Sequence, residues 1–583
     1  MITALHLGNF KAFGESQRLP IKPLTLVFGP NSSGKSSLIH GLLFARHAFE
    51  TGDLNVTKTA LGGDCVDLGG FGQYVHRRNL ESRVRFGIDI RPKVLSQALA
   101  SHAGSTRAIS VSFDIGCEVD DKGQPVHDGK PQIVTTRIAL DERDFVQMSR
   151  RVRKIGEIDV SVLLRGPDDP APSVLHRIDR LDAKHPTVVE VLSEIVENAE
   201  MIAEPSDQST AMAEEVLQAI IAETGLGIER LLPTVVIGEA SQSGPIPDHA
   251  TDGRGDQRNN PRAALRLFLR HELESLLRGV ESSVANALAR LRYLGPLRSY
   301  PPRHLIGVAD DDRNWIAGGG YAWDVVRRDK AVRDKINEWL SAPNRLQTPY
   351  RLGVHQFIPP LLAEPLIAEK LEEELGHQFD SLASRAPEPG TSDDEEEHLS
   401  EGRDSQEIDI PDIASQLVHF LADHRSIERW DVLRLGDLRT NTIVSHRDVG
   451  IGVSQVLPVL VHAYADREQI VAIEQPEIHL HPALQAELGD LFIESALGPN
   501  KNTFILETHS EHLILRILRR VRETTEGKLP DGHCAIRPED VAVLYTQPSQ
   551  HGVEVIELPV TPDGDFARPW PGGFFAERFQ DLP

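Results

Sequence analysis

The chain has 583 residues, 40% hydrophobic and 26% charged, with a formal net charge of −25 and a pI near 5.4. That length exceeds one hydrophobic core and implies about two to four domains, while the acidic balance repels nucleic acid, so any DNA contact needs a local basic patch. Cys65, Cys117 and Cys534 lie too far apart in sequence for a cysteine-rich metal cluster and argue against a disulfide framework. The N-terminus, Met1-Ile2-Thr3-Ala4-Leu5-His6, has neither a basic region nor an apolar signal core. No apolar run is long enough to span a bilayer. A soluble, cytoplasmic protein without a membrane partner is therefore expected.

The chain opens with a strand carrying Ile2, Ala4, Leu5 and Leu7, then a loop, Asn9-Phe10-Lys11-Ala12-Phe13-Gly14. A buried strand follows, Leu24-Thr25-Leu26-Val27-Phe28, and then Gly29-Pro30-Asn31-Ser32-Ser33-Gly34-Lys35-Ser36. The octet reads G-x-x-x-x-G-K-S, and Leu38, Ile39, Leu42 and Leu43 recur after it at helical spacing. Strand, glycine loop and helix are the order in which backbone N–H groups and a helix N-terminus cradle phosphates. Asn31, Ser33, Gly34, Lys35, Ser36 and Ser37 are thus candidate ATP contacts: Lys35 would neutralise the β and γ phosphates, and the Ser36 hydroxyl would hold Mg²⁺.

Residues 83–165 read as β-rich, including Ile109–Ile115 and Val134–Leu140, which alternate as half-buried strands should. Arg150, Arg151, Arg153 and Lys154 form a basic cluster, either DNA-facing or simply solvated. Over 183–295 the apolar spacing turns helical, interrupted by a polar loop from Ser241 to Arg262 and closed by a helix from about Ala263 to Arg292. Tyr293–Arg298 marks a turn, and Asp393–Glu397 lies in a polar, disorder-prone segment. The expected division is an N-terminal lobe over 1–165, a helical insertion over 166–345, a linker and helical region over 346–425 with an acidic stretch at 386–409, and a C-terminal lobe over 426–583.

The C-terminal lobe supplies the rest of the site. Ile470-Val471-Ala472-Ile473-Glu474 is a buried strand with an acid at its tip, the Walker B arrangement, in which Glu474 would hold the Mg²⁺ hydration shell. Gln475-Pro476-Glu477-Ile478-His479-Leu480-His481-Pro482 follows, and a second buried strand, Thr503–Glu507, ends at Thr508-His509-Ser510. His479 and His481 lack acids or cysteines at ligand spacing and read better as a dimer-facing loop than as a metal site. Upstream, Asp448-Val449-Gly450-Ile451-Gly452-Val453-Ser454-Gln455 precedes an apolar helix, a combination suited to binding phosphate.

Together, the opening "L-x-N-F-K-x-F", the phosphate loop and "E-x-P-E-x-H-L-H-P" resemble the ATPase heads of the OLD, RecF and structural-maintenance-of-chromosomes families, within the ABC-type ATPases. The resemblance covers roughly 1–80 and 440–583. It implies an α/β P-loop NTPase head of ABC type, with a mixed sheet in two lobes split by a mainly helical insertion. It implies that Lys11 lies near the nucleotide, although a solvated lysine fits equally. It implies that Gln73 senses the γ-phosphate and Mg²⁺, with a solvated loop glutamine as the alternative, that His509 is the switch histidine, and that Gly452 and Ser454 meet ATP held by an opposite protomer. A homodimer or higher homo-oligomer with ATP-bridged heads follows.

Where such heads keep a water-polarising acid this chain has Gln475, an amide that cannot take a proton, so hydrolysis would be slow or would use Glu477 or His509. The ending Trp570-Pro571-Gly572-Gly573-Phe574-Phe575 resembles bacterial ATPases, some encoded in anti-phage systems beside a nuclease. Too little chain follows His509 for a Toprim nuclease, so the nuclease is expected to be a separate effector. The function expected is an ATP-switched dimer acting in phage defence or DNA surveillance. A DNA-binding repair ATPase and a non-hydrolysing nucleotide-bound scaffold are the alternatives.

Overall fold

The structure is a computed structural model that describes residues 1–92, 106–120, 124–126, 129–151, 175–200, 215, 217–218, 221, 224–228, 230–238, 261–298, 313–342, 345, 347–358, 360–383, 410–423, 430–444 and 451–571. The expected acidic stretch at 386–409, most of the Ser241–Arg262 loop, Arg153, Lys154 and Asp448–Gly450 lie outside these residues.

In chain order the first part runs β1 (Ile2–Gly8), β2 (Gln17–Pro20), β3 (Leu24–Phe28), α1 (Lys35–Thr51) and α2 (Phe71–Tyr74). Then come β4 (Val84–Ile90), β5 (Ile109–Cys117), β6 (Pro131–Leu140), β7 (Arg143–Arg151), β8 (Leu175–Leu181), α3 (Pro186–Glu200), β9 (Thr224–Ile228), β10 (Pro233–Gly238) and α4 (Pro261–Ala289). The middle holds β11 (Leu291–Leu294), α5 (Gly320–Arg328), α6 (Lys330–Ser341), β12 (Tyr350–Phe357), α7 (Pro360–Ala383), α8 (Ile410–Asp423), β13 (Trp430–Asp437) and β14 (Thr442–Val444). The last part is α9 (Ile451–Tyr464), β15 (Ile470–Glu474), α10 (Pro482–Leu497), β16 (Thr503–Glu507), α11 (Glu511–Thr525), β17 (Val541–Ser549) and β18 (Gly552–Glu557).

Two large sheets organise these elements. Among the described residues, one has nine strands in the order β10-β9-β8-β7-β6-β5-β4-β1-β2, paired antiparallel throughout. The other has six in the order β11-β15-β16-β3-β17-β18, parallel from β11 to β17 with an antiparallel last strand. A small separate sheet, β12-β13-β14, joins the core on one face of the parallel sheet through Leu352, Leu433 and Leu435.

The parallel strands β3, β15 and β16 are buried at every position. Successive side chains point to opposite faces, so a strand covered on both sides is near-continuously apolar rather than alternating, and here only Thr25, Thr503 and the terminal Glu474 and Glu507 interrupt the run. One face, carrying Val27, Ile470, Ala472, Ile505 and Leu544, packs on a core shared with α1, α4 and the antiparallel sheet. The other face, carrying Leu26, Phe28, Val471, Ile473, Phe504 and Leu506, packs on α5, α6, α9, α10 and α11.

Helix α1 is therefore wedged between the two sheets. Its Leu38, Ile39, Leu42 and Ala45 have no exposed surface. Phe44 sits 5.2 Å from Tyr74, 5.6 Å from Phe86 and 5.8 Å from Phe10, ring centre to ring centre. The helix stops at Gly52, whose left-handed conformation (φ 74°) lets its N–H return to the Ala48 carbonyl.

Residues 166–345, expected as a helical insertion, hold strands as well as helices. β8, β9 and β10 extend the antiparallel sheet, and β11 forms the edge of the parallel one. Helix α4 starts and ends close to its expected limits and packs against α1 in the shared core. The helical spacing on either side concealed the short strands, and Gly225 and Gly227 leave β9 with few side chains from which to read a period of two. Among the described residues no helix is long and apolar enough to cross a membrane.

Because α1 carries the phosphate-loop lysine and is held by aromatic packing, Phe44→Ala should lower the unfolding free energy by about 3–5 kcal/mol, read from chemical denaturation. A loss below about 1 kcal/mol would mean that the wedge contributes little.

Candidate functional site

The chemically active side chains gather at the C-terminal edge of the parallel sheet, where open α/β sheets bind ligands. The loop Gly29–Gly34 leaves β3 there and enters α1. Gly29 adopts φ 151°, and a Cβ at that position would collide with Thr546 Oγ1 on β17. Gly34 caps α1 at φ 83°, and its Cβ would lie 2.6 Å from the Ala12 side chain. Only glycine fits at either position.

Ser33 shares a 2.5 Å hydrogen bond with Thr546, pinning the loop to β17. Lys35 is 5% exposed and folds back on its own loop, donating to the Gly29 carbonyl at 3.1 Å and the Pro30 carbonyl at 2.8 Å. Burial pulls its ammonium below the ordinary lysine value, against the nearby charges of Glu507 and Glu477. Asn31 stands exposed on the crest of the loop, and Ser37 is buried in the first turn of α1.

The Ser36 hydroxyl donates to Glu507 Oε2 at 2.7 Å. Glu507 ends β16 and pairs in register with Glu474, which ends the neighbouring β15. Glu474 accepts from the Tyr293 hydroxyl at 2.8 Å, and Tyr293 comes from β11. Burial and the neighbouring Glu507 push the Glu474 carboxyl up to about 7, and burial likewise raises Glu507.

Lys11 joins this group rather than the solvent. Its Nζ lies 2.8 Å from His40 Nδ1, and His40 Nε2 lies 3.8 Å from Glu474 Oε1. Burial and Lys11 push the His40 imidazole down to about 3, so the ring is neutral. Nδ1 then accepts from the ammonium, which places the ring proton on Nε2, toward Glu474.

The segment after β15 is fixed mainly through its backbone. Gln475 takes a left-handed φ of 48° and donates its N–H to the Glu507 carbonyl at 2.7 Å. Glu477 Oε1 accepts from the His509 N–H at 2.7 Å, while its buried Oε2 has no hydrogen-bond partner among the described residues. Burial raises Glu477 and lowers the His509 ring, the latter helped by the charge of Lys35. Arg298, buried and pulled down to about 10 by that burial, donates to the carbonyls of Gln455, Glu474 and Gln475 at 2.8, 3.2 and 3.1 Å. It thereby ties the start of α9 to the end of β15.

The remaining candidates sit further out. Gly452 approaches this segment closely, since its Cβ would lie 3.1 Å from the His479 carbonyl, and Ser454 is 3% exposed. Gln73 is exposed in α2, with its side chain along Gly69. His481 caps α10, its ring accepting from the Ala483 N–H, and His479 is exposed beside it. Among the described residues no group of three or more His, Cys, Asp or Glu is arranged to hold a metal ion.

Sequence reasoning named Glu507 only as the end of a strand, yet its strand repeats the pattern that marked Glu474: four buried residues ending in an acid. Tyr293 and Arg298 fell in a stretch read as a turn. His40 and Thr546 carried no sequence signal, since each reaches the site through tertiary packing.

Residues 235–516 match the family described as "AAA domain, putative AbiEii toxin, Type IV TA system". No curated protein matches the chain. Among solved structures it is similar to an Smc head bound to the C-winged helix domain of ScpA, at 9% identity over 96% of this chain and 97% of that one, with a TM-score of 0.32. It is also similar to an Smc head with an extended coiled coil bound to the C-terminal domain of ScpA, derived from Pyrococcus furiosus, at 10% identity over 96% of each chain and a TM-score of 0.31. A third is the SMC head domain from Thermotoga maritima, at 8% identity over 96% of this chain and 99% of that one, again with a TM-score of 0.31.

The raised Glu474 carboxyl has a measurable consequence. Its folded value near 7 exceeds the ordinary 4.5, so the folded state binds this proton more tightly than the unfolded state does. That contribution to stability is complete below pH 4.5 and is lost as the pH rises through about 7. Glu474→Gln removes the ionisation, so the nucleotide-free variant should be more stable than the natural chain at about pH 8 by about 1–3 kcal/mol, with the difference closing near pH 4. Thermal melts across that range would check this, and a variant less stable at every pH would refute it.

Proposed function

We propose that this chain, an ABC-type P-loop ATPase head, binds ATP with Mg²⁺ and pairs head to head with a second copy, using binding and slow hydrolysis as a switch over a separate effector. The observation that carries the reading is the convergence of Lys35, Ser36, Glu474 and Glu507 from three strands at one sheet edge. The glycine cradle, with no room for a Cβ at Gly29 or Gly34, and the unpartnered Glu477 Oε2 fit a bound triphosphate and its hydration.

In this reading the N–H groups of the loop and Lys35 hold the phosphates, while Ser36 and Glu474 hold Mg²⁺. The metal, when bound, would neutralise phosphate charge. Glu477 and His509, joined by their 2.7 Å hydrogen bond, are candidates to orient water in place of the acid missing at Gln475. Gly452, Ser454 and the start of α9 would meet ATP held by the partner. The family's description as a toxin of a toxin–antitoxin system supports a defence role, with a nuclease as the controlled effector in phage defence or DNA surveillance.

A second reading, a nucleotide-held clamp that does not turn over, is favoured by Gln475, because an amide cannot act as a general base. Gln475→Glu would then gain hydrolysis.

Lys35→Ala should weaken ATP binding about ten- to a hundredfold, the worth of a charged hydrogen bond of about 1.5–3 kcal/mol. It should also abolish any ATP-dependent increase in mass seen by light scattering of the natural chain. Failure of the natural chain to bind ATP would overturn the proposal, and binding without any change in mass would remove its dimer.

A further inference from the structure

Glu474 and Glu507 are neighbours on adjacent parallel strands, each 6% exposed. Tyr293 donates its hydroxyl to Glu474 and Ser36 donates to Glu507, with Ser36 also acting on Glu474. Among the described residues neither forms an ion pair with a lysine or arginine; the nearest basic group to Glu474 is the neutral His40, at 3.8 Å. Lys35 is turned onto loop carbonyls instead. Two buried carboxylates side by side without a cation in contact are costly, and a divalent ion between them relieves both burial and mutual repulsion.

Ser36 is the link. In donating its proton to Glu507, its oxygen keeps lone pairs free to accept a metal. The Ser36 hydroxyl bonds Glu507 directly and also acts on the neighbouring Glu474, so it lies between the two carboxylates. Gln475, where an acid was expected, is held by its backbone to the carbonyl of the same Glu507.

We propose that Glu507 is a second carboxylate of the divalent-cation site, shared with Glu474 and Ser36, and supplies from β16 the negative charge that Gln475 does not. The proposal rests on the ATPase reading for the site's purpose but not for its chemistry. Two carboxylates and a hydroxyl bind a hard cation through oxygen whether or not nucleotide is present. The site should take Mg²⁺ or Mn²⁺ before ATP as well as with it.

Mn²⁺ titration of the full chain, followed by electron paramagnetic resonance with and without ADP, tests this. Glu507→Gln should weaken Mn²⁺ about tenfold or more in both conditions, while ATP affinity in EDTA changes less than about threefold, a difference smaller than one ordinary hydrogen bond. Glu507→Asp, which keeps the charge, should recover part of the loss and guards against a folding defect. Unchanged Mn²⁺ affinity in Glu507→Gln, alongside a loss in Glu474→Gln, would overturn the proposal and leave Glu507 as a partner of Ser36 alone. Absence of Mn²⁺ binding by the natural chain in both conditions would also overturn it. Mn²⁺ binding that depends on Glu507 in a chain that binds no ATP would support the metal site and refute the ATPase reading, so the two failures are distinguishable.

Discussion

The candidate site depends on one set of hydrogen bonds: the parallel ladder that holds β3 between β16 and β17. β3 has only five residues and comes from the start of the chain, while both neighbours come from near its end. Five buried residues contribute little stability alone, so β3 is ordered by these ladders and by the cores on its two faces. Once it is placed, the phosphate loop leaves at the edge where β15 and β16 deliver their acids. Helix α1 then runs back into the space between the two sheets. The ladder thus sets the distance between Lys35 and the carboxylates, and the aromatic packing around Phe44 keeps α1 from shifting it.

The electrostatics of the site follow from the same burial. Glu474, Glu477 and Glu507 are all pushed up, and Lys11, His40, Lys35 and His509 are all pushed down. Every one of these shifts is led by desolvation, which penalises the charged form of each group. A protein optimised for stability would pair or replace these groups. Keeping them buried and imperfectly neutralised is the usual mark of a site whose charges are completed by a ligand. Arg298 makes the site sensitive to its surroundings, because its single guanidinium holds carbonyls of both α9 and the β15 tip.

The parts legible in the sequence were those whose chemistry is local. The phosphate loop needs its glycines, lysine and serine within eight residues, and Glu474 needs only the strand before it. Glu507 was legible by the same rule, but the threonine and histidine after it drew the reading away. Tyr293 and Arg298 were not legible, because their roles arise from where β11 and the loop after it lie in three dimensions. The same holds for the extent of the antiparallel sheet. β8, β9 and β10 are short strands set among helical patterns, and only their pairing with β7 and with one another makes them strands.

The position of β3 also bears on how the protein is made. As the chain leaves the ribosome, the phosphate loop emerges well before its sheet partners, for β3 gains its first ladder only when residue 507 is out and its second when residue 545 follows. Until then a strand buried at every position and the buried face of α1 lack half of their cover. Such long-range closure is slow and leaves sticky surface exposed during synthesis. The antiparallel sheet, whose strands all lie within the first 238 residues, can form earlier and shelter one side of α1. The candidate site therefore takes shape only once β16 and β17 have been made, and a chain truncated ahead of β17 would carry its phosphate-loop motif without the sheet that gives it shape.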